Sequence, residues 1–251
     1  GSLQVLVDTL VDALRRMGVA IETNTPVEKL WVERGATRGV EVGGRPRNAD
    51  AVLSTVPTPL LAQWVRPADP SYAHWLERID YMGAICTVCA FSRPVSPVYW
   101  LNVADPGFDF GGVIEQTRLV PPEEYGGQHI VYLSRYLDPG HELWTMDEEA
   151  FVPRQIQQLE TLMARPLRDD LRWARRFKAR FAAPQTTLGF ARRVPSYAAP
   201  IRGLYVASMP HVYPDERSTN NSIRIAAGAV QAMGVDTQYV PRGPSLAGRY
   251  G

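Results

Sequence analysis

The stretch that most constrains the fold is residues 203–234, GLYVASMPHVYPDERSTNNSIRIAAGAVQAMG. Residues 204–207 are a short apolar run opened by a glycine, the pattern of a buried strand. Residues 208–219 are polar and carry two prolines, so they form a loop. From Asn220 or Asn221 a helix is expected, with Ile223, Ala226, Ala227, Val230 and Met233 at helical spacing and Gly234 as its stop. A strand that feeds a helix through a polar loop leaves free amides and the positive helix end at the mouth of a sheet. That suits an anion or a polar ligand. The same arrangement also serves as an ordinary strand–loop–helix connection.

The start of the chain adds a second set of signals. In residues 2–18, Leu3, Leu6, Leu10, Leu14 and Met17 form one apolar stripe, and Gly18 stands where a C-cap glycine belongs. Strand-like segments follow at 19–21 and 27–32, separated by the turn Asn24-Thr25-Pro26. A hairpin region with Gly35, Gly39, Gly43 and Gly44 leads to a further strand in ADAVLSTVP, residues 49–57.

Taken in this order, these motifs resemble the FAD-dependent amine oxidase superfamily: amine oxidases, protoporphyrinogen oxidases and phytoene-desaturase-like flavoproteins. Its members carry a glycine, a helix of the LvdaL type, a strand of the v.i.l.t.V type and then ADaVist.P. Near their C-terminus come gLyva, a polar loop and an Ala/Gly-rich helix. The loop YPDERSTNNSIR is similar to a YPeDRgtNyaIr variant of bacterial members.

The resemblance implies FAD as cofactor and an α/β (α+β) fold, a partial FAD-binding dinucleotide fold with an inserted mixed or antiparallel-sheet substrate domain. Residues 1–57 and 200–234 would form the discontinuous FAD-binding part, 58–199 the substrate domain and 235–251 a flexible tail. It further implies that Val27 meets the adenine side of FAD through its backbone, and that Thr55 and Pro57 end a strand passing the cofactor. Asn220, Asn221, Ser222 and Ile223 would start a helix whose amides face the flavin pyrimidine edge and ribityl chain. Each position also has a plain structural role, as core strand, strand terminus or helix cap. Ser208, with Ala207, stands where many members place Gly-Asp or Gly-Glu on the ribityl chain, so this contact departs from the family pattern.

A larger departure is the lack of the strand–GxGxxG–helix segment that cradles a dinucleotide pyrophosphate; no glycines in the chain have that spacing. A truncated form, a partial chain or a divergent protein that no longer binds FAD would each account for it, and Gly1-Ser2 is either a tag scar or the family's own Gly-Ser. The missing N-terminal half of the same protein is thus an expected partner, and the chain alone is expected to bind FAD weakly or not at all.

Between the two ends, helices are expected at 58–65 and 72–78, and strands at 85–91, 98–101, 112–115, 129–136 and 172–181. Thr145 to Glu148 reads as a capping box before a helix that ends near Met163, with Pro153 bending it or delaying its start. Tyr99, Trp100, Tyr132, Tyr136 and Trp144 could line an apolar cavity or simply pack in a core.

Composition narrows the classes. A net charge of +1 gives no general pull toward nucleic acid or a membrane, so the arginines Arg165, Arg168, Arg172, Arg175, Arg176 and Arg180 read as a solvated face. No apolar run approaches the ~20 residues of a transmembrane helix. Cys86 and Cys89 form a C-x-x-C in a strand-like run, where positions three apart point to opposite faces. That disfavours a disulfide, and with no second ligand pair zinc is not expected. Two buried thiols point to a cytoplasmic protein. His129, His141 and His211 have no metal spacing; His211 lies in the loop nearest the expected flavin.

No Ser-His-Asp, Cys-His or paired-carboxylate set is present, which fits a flavoprotein whose cofactor carries the electron chemistry. The expected function is therefore the substrate-domain-containing C-terminal portion of an FAD-dependent oxidoreductase acting on a small apolar or amphipathic molecule. The alternatives are a flavin-dependent nucleotide-sugar mutase, with Arg193, Arg202 and Arg217 on a diphosphate, or a non-catalytic binding fragment.

Overall fold

The computed structural model describes residues 4–235; of the tail expected at 235–251, all but Val235 lies outside the described residues. Helix α1 (Gln4–Arg16) forms where the leucine spacing places it, and it ends on Arg15 and Arg16, cations suited to the negative end of the helix dipole. None of its residues is buried. Residues 19–21 form no strand, because no described strand pairs with them and an extended segment without a ladder partner is not one.

Strands β1 (Lys29–Glu33), β2 (Ala36–Val42) and β3 (Arg45–Asn48) make an antiparallel meander, with a bulge between Trp31 and Val32. Strand β4 (Val52–Ser54) is the regular part of the 49–57 run. Helix α2 (Thr58–Val65) starts with proline in its first turn, where a missing N–H costs nothing. Asp69 caps α3 (Pro70–Glu77), accepting from the Tyr72 amide at 2.9 Å. Next come β5 (Tyr81–Phe91), β6 (Trp100–Asn102), β7 (Gly112–Glu115), β8 (His129–Leu137), the single turn α4 (Glu142–Thr145), α5 (Glu148–Met163), β9 (Leu171–Pro184), β10 (Leu204–Val206) and α6 (Thr219–Ala232).

The expected capping box does not form. Thr145 closes α4 instead, its hydroxyl donating to the Glu142 carbonyl at 3.1 Å, and Asp147 takes the N-cap position of α5. Glu148 turns its carboxylate to the Arg176 amide of β9 at 3.1 Å, a long-range acceptor role in place of the local one. Pro153 lies inside α5, and the helix continues through it.

The described residues divide into two compact units, 4–21 with 81–183 and 22–80 with 184–235. These bounds differ from the sequence division at 57/58 and 199/200. Residues 58–80 belong with the second unit because α2 and α3 bury Leu61, Ala62, Val65, Ala73 and Leu76 against Leu30, Ile201, Leu204 and Val206.

In the first unit, five strands run in the order β6-β7-β8-β5-β9; β6–β7, β7–β8 and β8–β5 are antiparallel. Along most of β5 burial alternates: Ile85, Thr87 and Cys89 are buried, while Ala84, Cys86 and Val88 are half-exposed. The buried face lies under α5, whose Phe151, Ile156 and Leu159 complete its apolar clusters. Within that layer Thr87 Oγ1 donates to Gln155 Oε1 at 2.5 Å.

In the second unit, β4 and β10 pair in parallel, Val52 opposite Leu204 and Ser54 opposite Val206. Helix α6 starts from its N-cap Ser218, whose hydroxyl accepts from the Asn221 amide at 3.2 Å, and Gly234 follows the C-cap with φ of 79° as expected of a stop. Its buried positions are Ile225 and Ala229. The stripe expected from spacing is rotated: Ile223 and Ala226 are exposed, because Tyr197 and the 208–212 turn fix which side of α6 is buried.

Candidate functional site

The second unit holds a cavity of about 290 Å³ at the carboxyl ends of its two parallel strands, where open α/β sheets bind ligands. Leu53 and Thr55 contribute from the end of β4, Ala207 and Ser208 from the end of β10, Met209 and Val212 from the turn that follows, Arg217 from the loop, and Ser222, Ile225 and Ala226 from α6. Apolar side chains make most of its wall, with three hydroxyls and one guanidinium among them.

Two features suit this cavity to a polar ligand. The first turn of α6 opens beside it through Ser222, bringing the positive helix end. The second is Ser208. Residues 208–211 have the arrangement of a capping box, with the Ser208 side chain facing the His211 amide and the His211 ring on the Ser208 amide, yet the His211 amide donates its hydrogen bond to the Ser208 carbonyl at 3.0 Å. The buried Ser208 Oγ is left with no hydrogen-bond partner among the described residues. A buried hydroxyl left unbonded costs about 1–3 kcal/mol, so a group that bonds it gains that much on arrival.

The cavity's floor is held by His211. Its ring is buried, stacks on Tyr197 at 4.8 Å between centroids, and lies 3.1–3.2 Å through Nδ1 from the Ser208 backbone. Burial lowers its pKa, with hydrogen bonds to backbone opposing the shift, so the ring is neutral at pH 7. Arg224 braces the loop from the far side, reaching Asp215 at 2.9 Å and Asn221 Oδ1 at 3.3 Å.

The structure gathers Thr55, Ser208 and Ser222, and Arg217 of the mutase alternative, at this cavity. Asn220, Asn221 and Ile223 occupy the first turns of α6 but do not line it; Ile223 is half-exposed, and Asn221 spends its side chain on the Glu216 carbonyl (2.7 Å) and Arg224. Pro57 is the N-cap residue of α2, with its carbonyl accepting from Leu60 and Leu61. Val27 lies just before β1 rather than in a strand, and its backbone N–H and C=O make no hydrogen bond among the described residues. Sequence reading passed over Leu53, Met209, Val212 and Ile225. The signal for the first three was their place immediately beside the ends of two apolar strands.

The first unit has a second, larger cavity of about 770 Å³, bordered by Ala84, Cys86, Trp100, Ser134 and Tyr136 of the sheet and by the 103–111 loop. Of the five aromatic candidates only Trp100 and Tyr136 line it. Trp144 packs against Gly83 instead, within 2.8 Å of where a Cβ would stand, and under Lys178. Cys86 and Cys89 are free thiols on opposite faces of β5. Burial raises the Cys86 pKa, and burial together with Cys86 pushes Cys89 up to about 12, so both are protonated and unreactive at pH 7. Among the described residues no three His, Cys, Asp or Glu gather to hold a metal, and no helix is long and apolar enough to cross a membrane.

Comparison with known proteins agrees with this architecture. Solved structures with the same fold include an enzyme assigned as a protoporphyrinogen oxidase from Exiguobacterium sp. 255-15 (TM-score 0.68, 17% identity, 90% of this chain and 50% of that one). An oxidoreductase from Methanosarcina mazei matches with a TM-score of 0.65 at 19% identity over 91% of this chain and 53% of that one. Reduced UDP-galactopyranose mutase matches with a TM-score of 0.63 at 12% identity over 84% and 48%. The chain thus spans about half the length of the structures it matches. No curated protein matches its sequence. The model of the flavin-containing amine oxidoreductases matches residues 1–212, and the chain belongs to that family.

Proposed function

We propose that this chain is the substrate-holding and flavin-contacting portion of an FAD-dependent oxidoreductase that acts on a small apolar or amphipathic molecule. The observation that carries the reading is the buried, unpartnered Ser208 hydroxyl in a cavity at the ends of two parallel strands, beside the start of α6. Those residues fit a flavin: apolar walls for a ring, hydroxyls and helix amides for its polar edge.

On this reading Ser208, Thr55 and Ser222 hold the cofactor's polar groups, and the backbone of Val27, unbonded among the described residues, holds its adenine side. The amides of Asn220, Asn221, Ser222 and Ile223 and the α6 dipole tolerate added electron density near them. When bound, FAD would supply the electron chemistry for oxidising a C–N or C–C single bond. The cavity of the first unit receives the substrate's apolar body against Trp100 and Tyr136. The protonated Cys86 thiol in its wall does not compete as a nucleophile. The two free thiols accord with a reducing, cytoplasmic setting.

The test is a flavin titration of this chain and of a polypeptide that adds a strand–GxGxxG–helix segment upstream. The extended form is expected to keep a visible flavin band through gel filtration. The chain alone should show weaker, saturable quenching of flavin fluorescence, lost in Ala226→Trp, which fills the cavity. A folded extended form that retains no flavin at excess FAD overturns the reading.

A further inference from the structure

The second unit carries another hollow, of about 350 Å³, that the flavin reading does not use. It is lined by Trp75 and Arg78 at the end of α3 and by Leu188, Gly189, Arg192 and Arg193 of the 188–193 turn. Three arginines converge on it, and none has an acidic partner among the described residues: Arg193 reaches only the Thr187 hydroxyl at 3.2 Å, and Glu77, the acid of α3 next to Arg78, is taken by Arg66. The C-terminal end of α3 offsets part of this charge, but a helix end is worth only about half an elementary charge against three. The hollow therefore keeps most of its positive charge, and its concave wall shields that charge less than open solvent would.

The turn that carries Arg192 and Arg193 is held in place. Phe190, buried just before them in sequence, packs against Tyr213 at 5.2 Å between centroids. The turn is closed by the amides of Phe190 on the Thr187 carbonyl and Arg192 on the Gly189 carbonyl, both at 3.1 Å. Opposite them Trp75 is fixed by a parallel stack on Tyr72, 6.2 Å between centroids and 14° between planes. Guanidinium forks match phosphate oxygens in pairs, and a stacked indole offers a flat apolar wall.

We propose that this hollow binds a phosphorylated small molecule, its phosphates held by Arg78, Arg192 and Arg193 and its planar body resting on Trp75. The site lies apart from the proposed flavin cavity, with which it shares no lining residue, and the proposal stands whether or not that cavity takes FAD.

The experiment is isothermal titration calorimetry of the chain at fixed ionic strength with inorganic pyrophosphate and with ADP. Both should bind saturably at one site, ADP more tightly, and Arg192→Gln should weaken both about tenfold, the loss of one charged contact. Arg78→Gln on the other wall is expected to do the same, and both variants are exposed enough to keep the circular dichroism of the parent. Heat that tracks ionic strength without saturating, or affinity unchanged in both variants, overturns the proposal. So does pyrophosphate binding that FAD displaces and the arginine variants leave intact, which would assign the signal to the flavin cavity. Binding of a polyglutamate peptide with no saturable pyrophosphate site would give the surface to a protein partner and equally refute a small-molecule site.

Discussion

His211 shows how one side chain ties the loop geometry to pH. It is buried against Tyr197 with its Nδ1 on the Ser208 backbone, and burial holds its pKa below the ordinary 6.5. The unfolded chain therefore takes up the proton first: above about pH 6.5 both states are neutral at this site, and as pH falls below it the unfolded state binds more protons and gains. Stability is expected to decline from pH 7 downward until the folded-state pKa is passed. Urea unfolding midpoints at pH 7.5 and 5.5 check this. The drop should be smaller in His211→Gln, which keeps an acceptor but does not titrate; an equal drop in both proteins would rule the ring out. Sequence marked His211 only by its position in the loop, since its neutrality depends on burial that no spacing records.

At the scale of elements, α6 is docked by a close approach. A Cβ on Gly228 would stand 2.7–2.8 Å from Cε2, Cζ and Oη of Tyr197, whose ring is already stacked on His211. Gly to Ala within an unpacked helix stabilises by roughly 0.5–1 kcal/mol. Here the sign should reverse: Gly228→Ala is expected to destabilise by about 1–3 kcal/mol through overpacking. Thermal or urea unfolding reads this, and Gly228→Ala in a Tyr197→Leu background should recover most of the loss. The Ala-Ala-Gly-Ala run was visible in the sequence as helix; that its glycine faces a tyrosine was not. Local signals served well where the element depends on them, as in α2, whose bounds follow the Pro-rich start and apolar run at 58–65. They failed at Thr145, because the capping box needs Glu148 to turn back on its own helix and its carboxylate instead accepts from the Arg176 amide of β9.

At the scale of the molecule, each compact unit has its own core: Leu61, Leu76, Leu204 and Val206 in one, Phe91, Val131, Ile156 and Leu159 in the other. Differential scanning calorimetry is expected to resolve two transitions. Leu61→Ala should lower one and Ile156→Ala the other, each by about 2–5 kcal/mol. A single transition moved equally by both would show that the units unfold as one. The sequence by itself determined most of the element inventory, the strand–loop–helix at 203–234, the family and the cofactor that goes with it, because these rest on periodicity, turn chemistry and motifs local in the chain. Only the tertiary structure decided that β10 pairs with β4, that α2 and α3 belong with them, which face of α6 is covered, and that Ser208 is left unbonded beside Thr55. Those facts come from contacts between residues distant in the chain, such as Tyr197 with Gly228 and β4 with β10, where burial and hydrogen-bond competition, not local preference, select the outcome.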